Sequence, residues 1–319
     1  MGQYGDRKNN IRDGGDGQGE SEEMIVRFWG VRGSIPVPGL HTAVYGGNTS
    51  CIEIRNEESI FIIDAGSGIR LLGDKIISSY PKYDINLFLT HTHWDHIQGL
   101  PFFSPIFDYR YKIMIHGPSM LGKLKNMISG QMGYIYFPVK IDDLSSYLEF
   151  RELETETFKI GNTKISTIYL YHPIACLGYS FEYNGKKVVT MFDFEIDVGR
   201  EAIVLGDYFK QMLRIVGKEN IPSEDYILDF AKNADLLVLD AQYTKSEYLS
   251  KKGWGHSSIP SAINFGIKAK AKKVILFHLD PGRKDEDMML IEHYIENYFK
   301  MKGVNYKVYV AREGMEIEV

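Results

Sequence analysis

Apolar positions along the chain fall into short runs of strand length, separated by stretches with helical spacing. MIVRFWG (24–30) alternates and predicts a first strand, and the Gly/Pro-rich GVRGSIPVPG after it predicts a loop. SCIEIR (50–55) and SIFIID (59–64) predict two strands joined by a turn at Asn56, Glu57 and Glu58. A helix is expected over residues 67–79, then a buried strand at INLFLT (85–90) that runs straight into HTHWDH. KIMIHGP (112–118) predicts a strand, residues 119–130 a helix, and the aromatic stretch 130–150 an irregular segment.

The second half repeats the style. TKISTIYLY (163–171), CLGYSFEY (176–183) and KKVVTMFD (186–193) predict three closely connected strands. Helical spacing covers 198–216 and 223–233, DLLVLD (235–240) is a strand, SIPSAINFGIKA (258–269) a helix and KKVILFH (272–278) a strand. A helix at 284–301 and the short strands NYKVYV and MEIEV close the chain. Bursts of strands with helices between them predict a layered α/β architecture, with chemistry on the loops that leave the strand ends.

Composition narrows the class. The chain has 319 residues, 44% hydrophobic and 25% charged, which is ordinary for a soluble globular protein. No apolar run approaches the length of a membrane span, and the polar start has no secretory h-region, so a cytoplasmic protein is expected. Residues 1–23 hold almost nothing apolar and are expected to form a disordered tail ahead of one domain, 24–319. A net charge of −5 argues against a nonspecific nucleic-acid binder. Two distant cysteines, Cys51 and Cys176, argue against a disulfide scaffold or a thiolate metal site and are expected to be buried.

The strongest chemical signal is His91-Thr92-His93-Trp94-Asp95-His96, where three of the nine histidines fall within six positions. Chance produces such a grouping in roughly 5 of 10,000 placements, few enough to treat the motif as chemistry. Side chains at 91 and 93 leave a strand end on one side. The following turn presents Asp95 and His96 as a second pair. Imidazole and carboxylate ligate zinc and harder divalent metals.

HTHWDH after a buried strand, preceded by IIDAGSG (62–68), resembles the metallo-β-lactamase-fold hydrolase superfamily. More narrowly it looks like the branch of phosphodiesterases related to tRNase Z and the cyclic-phosphate hydrolases. The resemblance runs from Met24 to about Val319. It implies an αββα sandwich with a dinuclear metal site at the edge of the sheets. Matched position by position, it implies His91, His93 and His172 as ligands of one metal and Asp95, His96 and His278 as ligands of the other, with Asp193 bridging. The family often has TDT around the bridging aspartate and LFHHDP near the end; here the segments read FDF and LFHLDP, so Leu279 stands where a second histidine is usual. Such changes alter the surroundings of the ligands and so the tuning of the metals.

The same resemblance gives His256, in KGWGHSS, contact with the scissile phosphate and proton donation to the leaving oxygen, a role that suits imidazole. His256 and Asp95 are therefore the candidate catalytic residues. Asp64 would support the HTHWDH loop, and Asp280 would orient His278. Arg32 is a loop arginine with phosphate contact as an option, His116 a turn histidine, and His41 and His293 surface residues. The resulting expectation is a dinuclear metal-dependent phosphodiesterase that cleaves a cyclic nucleotide or another small phosphodiester. Zinc is the first choice of metal, with manganese or iron as alternatives. The partner is a small molecule, neither membrane nor nucleic acid, with a homodimer left open. Competing expectations are a thioester or lactone hydrolase on the same site, a di-iron redox or oxygen-binding protein, and a metal-binding sensor without turnover.

Overall fold

The structure is a computed structural model that describes residues 10–11, 23–79, 84–119, 123–200, 202 and 209–319. Most of the segment expected to be a tail lies outside the described residues; within it the short strand β1 (Asn10–Ile11) pairs in parallel with Glu316–Ile317. In the first half follow β2 (Ile25–Gly30), β3 (Cys51–Arg55), β4 (Ile60–Ile63), α1 (Ile69–Ser79), β5 (Ile85–Phe88), α2 (Trp94–Ile97), β6 (Lys112–Pro118), α3 (Leu124–Gln131) and β7 (Tyr147–Leu153). The second half holds β8 (Thr157–Ile160), β9 (Thr163–Tyr169), β10 (Leu177–Tyr183), β11 (Lys186–Met191), α4 (Lys210–Val216), α5 (Glu224–Ala231), β12 (Leu236–Asp240), α6 (Lys245–Lys251), α7 (Ile259–Lys268), β13 (Lys273–Phe277), α8 (Asp285–Met301), β14 (Lys307–Val310) and β15 (Glu316–Glu318).

Two mixed sheets result, in the orders β1-β15-β2-β3-β4-β5-β6-β7 and β14-β13-β12-β11-β10-β9-β8. Their facing sides interlock through aromatic rings: Phe61 against Phe181 at 5.3 Å between centroids, Phe88 against Tyr179 at 5.3 Å and Phe28 against Phe277 at 5.8 Å. The outer face of the first sheet is covered by α1, which buries Ile69, Leu72, Gly73 and Ile76 at helical spacing, and by α3. α5, α7 and α8 cover the outer face of the second sheet. This is the expected αββα sandwich. Cys51 and Cys176 are buried free thiols. Among the described residues no helix is long and apolar enough to cross a membrane.

Strand direction positions the chemistry. β4 and β5 are parallel, and so are β11, β12 and β13, while β9 runs antiparallel to β10, which is antiparallel to β11. β9 therefore points the same way as β11, and the carboxyl ends of β9, β11, β12 and β13 share one edge. Backbone bonds from Leu177 N to Thr90 O and from Leu279 N to Val31 O tie that edge to the first sheet. The segment expected to be irregular over 130–150 is corrected at its end, because β7 begins at Tyr147.

Candidate metal centre

Each candidate ligand follows a strand. His91 to His96 leave β5, His172 leaves β9, Asp193 leaves β11 and His278 leaves β13. All seven converge. His91, His93, His172 and Asp193 form one group and Asp95, His96 and His278 a second, each with ligand atoms within 4.8 Å of one another. Asp193 stands between them: Oδ1 lies 3.8 Å from His91 Nε2 and 3.9 Å from His172 Nε2, while Oδ2 lies 3.2 Å from His96 Nε2 and 3.3 Å from His278 Nε2. Asp95 Oδ2 is 3.2 Å from both His96 Nε2 and His278 Nε2.

The backbone is bent to reach this arrangement. Asp64, Asp193 and His278 have φ of 63°, 56° and 56°, a left-handed conformation that costs a residue with a Cβ about 1–3 kcal/mol and clusters at functional sites. Gly33 leaves room for the His278 ring, since a Cβ there would lie 2.3 Å from it.

Hydrogen bonds fix the imidazole tautomers. Asp64 accepts from His96 Nδ1 at 2.6 Å, from Thr90 N at 2.7 Å and from Thr90 Oγ1 at 2.8 Å. With its proton given to Asp64, Thr90 Oγ1 accepts from His91 Nδ1 at 3.0 Å. His172 Nδ1 donates to the Gly255 carbonyl at 3.1 Å. In the neutral form of each ring this leaves the lone pair on Nε2, the state that binds a metal. Asp64 thus has the supporting role expected of it.

Charge is distributed to match. Burial first, and neighbouring histidines second, hold His91 well below the ordinary imidazole range, and burial lowers His93 and His172 as well. Burial pushes Asp193 and Asp95 up, but the surrounding histidines outweigh it and keep both carboxylates ionised. His96 is ringed by Asp193, Asp95 and Asp64, which overcome its burial and raise it well above the usual range. The centre therefore sets neutral imidazoles at His91, His93 and His172 and a positively charged ring at His96 around the carboxylates of Asp95 and Asp193. His91 Nε2, His96 Nε2 and Asp193 Oδ2 are buried without hydrogen-bond partners among the described residues. Orphaned acceptors of this kind, facing one another, are what divalent cations would satisfy, so the residues fit a metal pair.

His256 sits beside the cluster, its ring stacked 4.8 Å from that of His278. Nδ1 bonds Asp240 Oδ2 at 2.9 Å. Burial lowers its pKa, but the Asp240 charge and hydrogen bond win and raise it to about 9. Nδ1 is also 3.8 Å from Asp193 Oδ1, and Asp193, His256 and His278 form a third group able to hold an ion.

Two residues of this site are absent from the sequence expectation. Asp240 ends β12 and, besides His256, accepts from Asp193 N at 3.1 Å and Ser257 N at 2.8 Å. Glu195 accepts from Gly253 N, Gly255 N and Tyr248 Oη at 2.7–2.8 Å and so pins the loop that carries His256. An aspartate closing a fully apolar run, as at Asp64 and Asp193, was the signal for Asp240. Other readings need correction. Asp280 does not orient His278; its carboxylate accepts from Gly282 N and pairs with Lys251. Arg32 is buried and donates to the carbonyls of Gly46, Asp280 and Arg283, so it is neither solvated nor free for phosphate. His116 lies inside β6, buried and stacked on Phe88 at 4.3 Å, rather than in a turn.

A family model described as "Anti-Pycsar protein Apyc1" matches residues 42–208, more than half of the chain. Among curated proteins, the ribonuclease Z of Thermoplasma acidophilum is 26% identical over 92% of this chain and 99% of its own length. That of Pyrococcus furiosus is 27% identical over 80% and 86%. Among solved structures, a diphosphatase from the PhnP family superposes with a TM-score of 0.63 at 16% identity, covering 93% of this chain and 97% of its own. Human tRNase Z, short form, gives 0.60 at 20% identity, covering 92% and 98%. The Bacillus subtilis metallo-β-lactamase fold protein YhfI gives 0.60 at 16% identity, covering 93% and 100%.

Proposed function

Starting from a chain that belongs to the anti-Pycsar protein Apyc1 family and is a metal-dependent hydrolase of the metallo-β-lactamase fold, we propose that it is a dinuclear phosphodiesterase acting on a cyclic nucleotide or another small phosphodiester. His91, His93, His172 and Asp193 would hold one ion, and Asp95, His96, His278 and Asp193 the other. Bound divalent cations, zinc first among them, lower the pKa of water and neutralise charge developing on phosphoryl oxygens. The chain supplies the rest. Asp193 would span the two groups, and Asp64, Thr90 and the Gly255 carbonyl hold three imidazoles in the ligating tautomer.

The observation that carries the phosphodiester reading is the His256–Asp240 pair at the edge of the cluster. With Nδ1 bonded to Asp240, His256 would give a proton from its other ring nitrogen to a departing alkoxide. A phosphodiester releases such an alkoxide, whereas a thioester releases a stable thiolate that needs no acid. A lactone releases an alkoxide as well, and against it stand the relatives named ribonuclease Z. Asp240 would then hold the ring in place before and after the transfer.

The relatives named ribonuclease Z favour a second reading, an RNA phosphodiester as substrate, against the expectation of a small-molecule partner. Initial rates of metal-loaded protein on 3′,5′-cyclic nucleotides and on a 3′-extended RNA separate the two. A higher kcat/KM on cyclic nucleotides supports the first reading, and preferential cleavage of the RNA replaces it with the second.

A further inference from the structure

Two of the three tryptophans sit beside the metal centre with their side chains in solvent. Trp94 lies between the candidate ligands His93 and Asp95 and is 75% exposed. Trp254 is two positions from His256 and 54% exposed. The third, Trp29, packs beside the core and donates to Glu53. What sets Trp94 and Trp254 apart from the other exposed aromatics is that each stands within two positions of a candidate site residue and offers a broad planar face.

Both are presented from fixed backbone. Trp94 opens α2, where Gln98 N donates to its carbonyl and His96 N donates to the carbonyl of His93. Trp254 is flanked by Gly253 and Gly255, at φ of 89° and 91°, whose amides both donate to Glu195. The left-handed glycines and the buried carboxylate hold the loop while the indole stays outside. The two positions are joined across the centre by contacts: His172 Nδ1 to the Gly255 carbonyl at 3.1 Å, and His172 Nε2 to His93 Nδ1 at 3.3 Å. Both loops therefore lie beside the ligand group in which His93 is the exposed member.

We propose that Trp94 and Trp254 are platforms for the planar base of a nucleotide substrate, stacking on it while the cluster takes the phosphodiester. This rests on the phosphodiesterase reading and narrows it to nucleobase-bearing substrates over aliphatic ones. A base–aromatic stack contributes about 5- to 150-fold in binding, whichever base is offered.

The test has two arms. In the first, kcat/KM of the metal-loaded wild type is compared on a 3′,5′-cyclic nucleotide and on glycerol 1,2-cyclic phosphate, which has no base. The wild type should prefer the nucleotide, and Trp94→Ala and Trp254→Ala should each cut that preference about tenfold through KM, with Trp→Phe restoring most of it. In the second arm, which needs no turnover, a nucleoside 5′-monophosphate should quench tryptophan fluorescence and ribose 5-phosphate should not. Trp94→Phe and Trp254→Phe should each remove part of the quench. An unchanged preference in both alanine variants, or equal quenching by the two phosphates, overturns the inference. Should the wild type cleave neither phosphodiester, the functional reading fails, and the fluorescence arm alone decides whether the platforms bind a base.

Discussion

Asp240 Oδ2 and His256 Nδ1 are 2.9 Å apart, and the same carboxylate group receives the backbone amide of Asp193 at 3.1 Å. One strand-end aspartate thus joins the candidate acid to the candidate bridging ligand. His256→Ala should leave metal content and folding near normal while kcat on a cyclic nucleotide falls by roughly 10²–10⁴. With p-nitrophenolate as leaving group the loss should be much smaller, because that anion departs without a proton. Equal losses on both substrates would place His256 in phosphate binding, and no loss would make it structural.

Asp64 is buried, contacts no candidate metal position directly, and governs two ligand tautomers through His96 and Thr90. Asparagine tolerates its left-handed φ of 63°, so Asp64→Asn isolates the charge from the backbone. Metal affinity should weaken by about 10- to 100-fold. Titration with a competing chelator reads this directly, and an unchanged affinity would remove Asp64 from the account.

Gly255 has φ of 91°, and a Cβ there would lie 2.3 Å from His172 Nδ1. Gly255→Ala should destabilise the fold by about 2 kcal/mol, from backbone strain and displacement of the ring together. Metal content should fall with it. Urea denaturation and elemental analysis report the two effects separately.

His116 supplies a pH dependence from outside the candidate ligand set. Burial, reinforced by Arg151, lowers its pKa to about 3, and its ring stacks on Phe88 while bonded to Asn86. Between an unfolded pKa of about 6.5 and that value the unfolded chain takes up a proton the folded chain refuses. Stability should therefore fall as pH drops from about 6.5 toward 3, by up to about 1.4 kcal/mol per pH unit from this group. His116→Phe should flatten the profile of unfolding free energy between about pH 6 and 4. An identical slope in the variant would assign the acid sensitivity elsewhere.

The strands that build the sandwich were legible because they are buried on both faces and read as unbroken apolar runs, as in IFII of β4 and LLVLD of β12. β7 and β8 were missed for the opposite reason. YLEFREL and TFKI sit at sheet margins, are mostly half-exposed, and carry charges where a central strand would carry valine. α6 is short and charged, and its signal was the capping pair Thr244 and Glu247 rather than an apolar face. Of the candidate ligand cluster, HTHWDH was legible from its own spacing, whereas His172, Asp193 and His278 were marked by the family resemblance. Glu195 was not, since a carboxylate that binds loop amides leaves no spacing pattern; its partners Gly253 and Gly255 lie far along the chain.

The proposed metal-dependent phosphodiesterase depends on Asp193, which stands between the two ligand groups. Wild type and Asp193→Ala, each reconstituted with zinc or manganese, are assayed on bis(p-nitrophenyl) phosphate, a 3′,5′-cyclic nucleotide, a thioester and a lactone, with metal content measured on the same samples. The expected result is about two ions per chain and turnover of the phosphodiesters by the wild type, with both lost in the variant. Full metal occupancy in Asp193→Ala, or turnover of the thioester or lactone with neither phosphodiester cleaved, would contradict it.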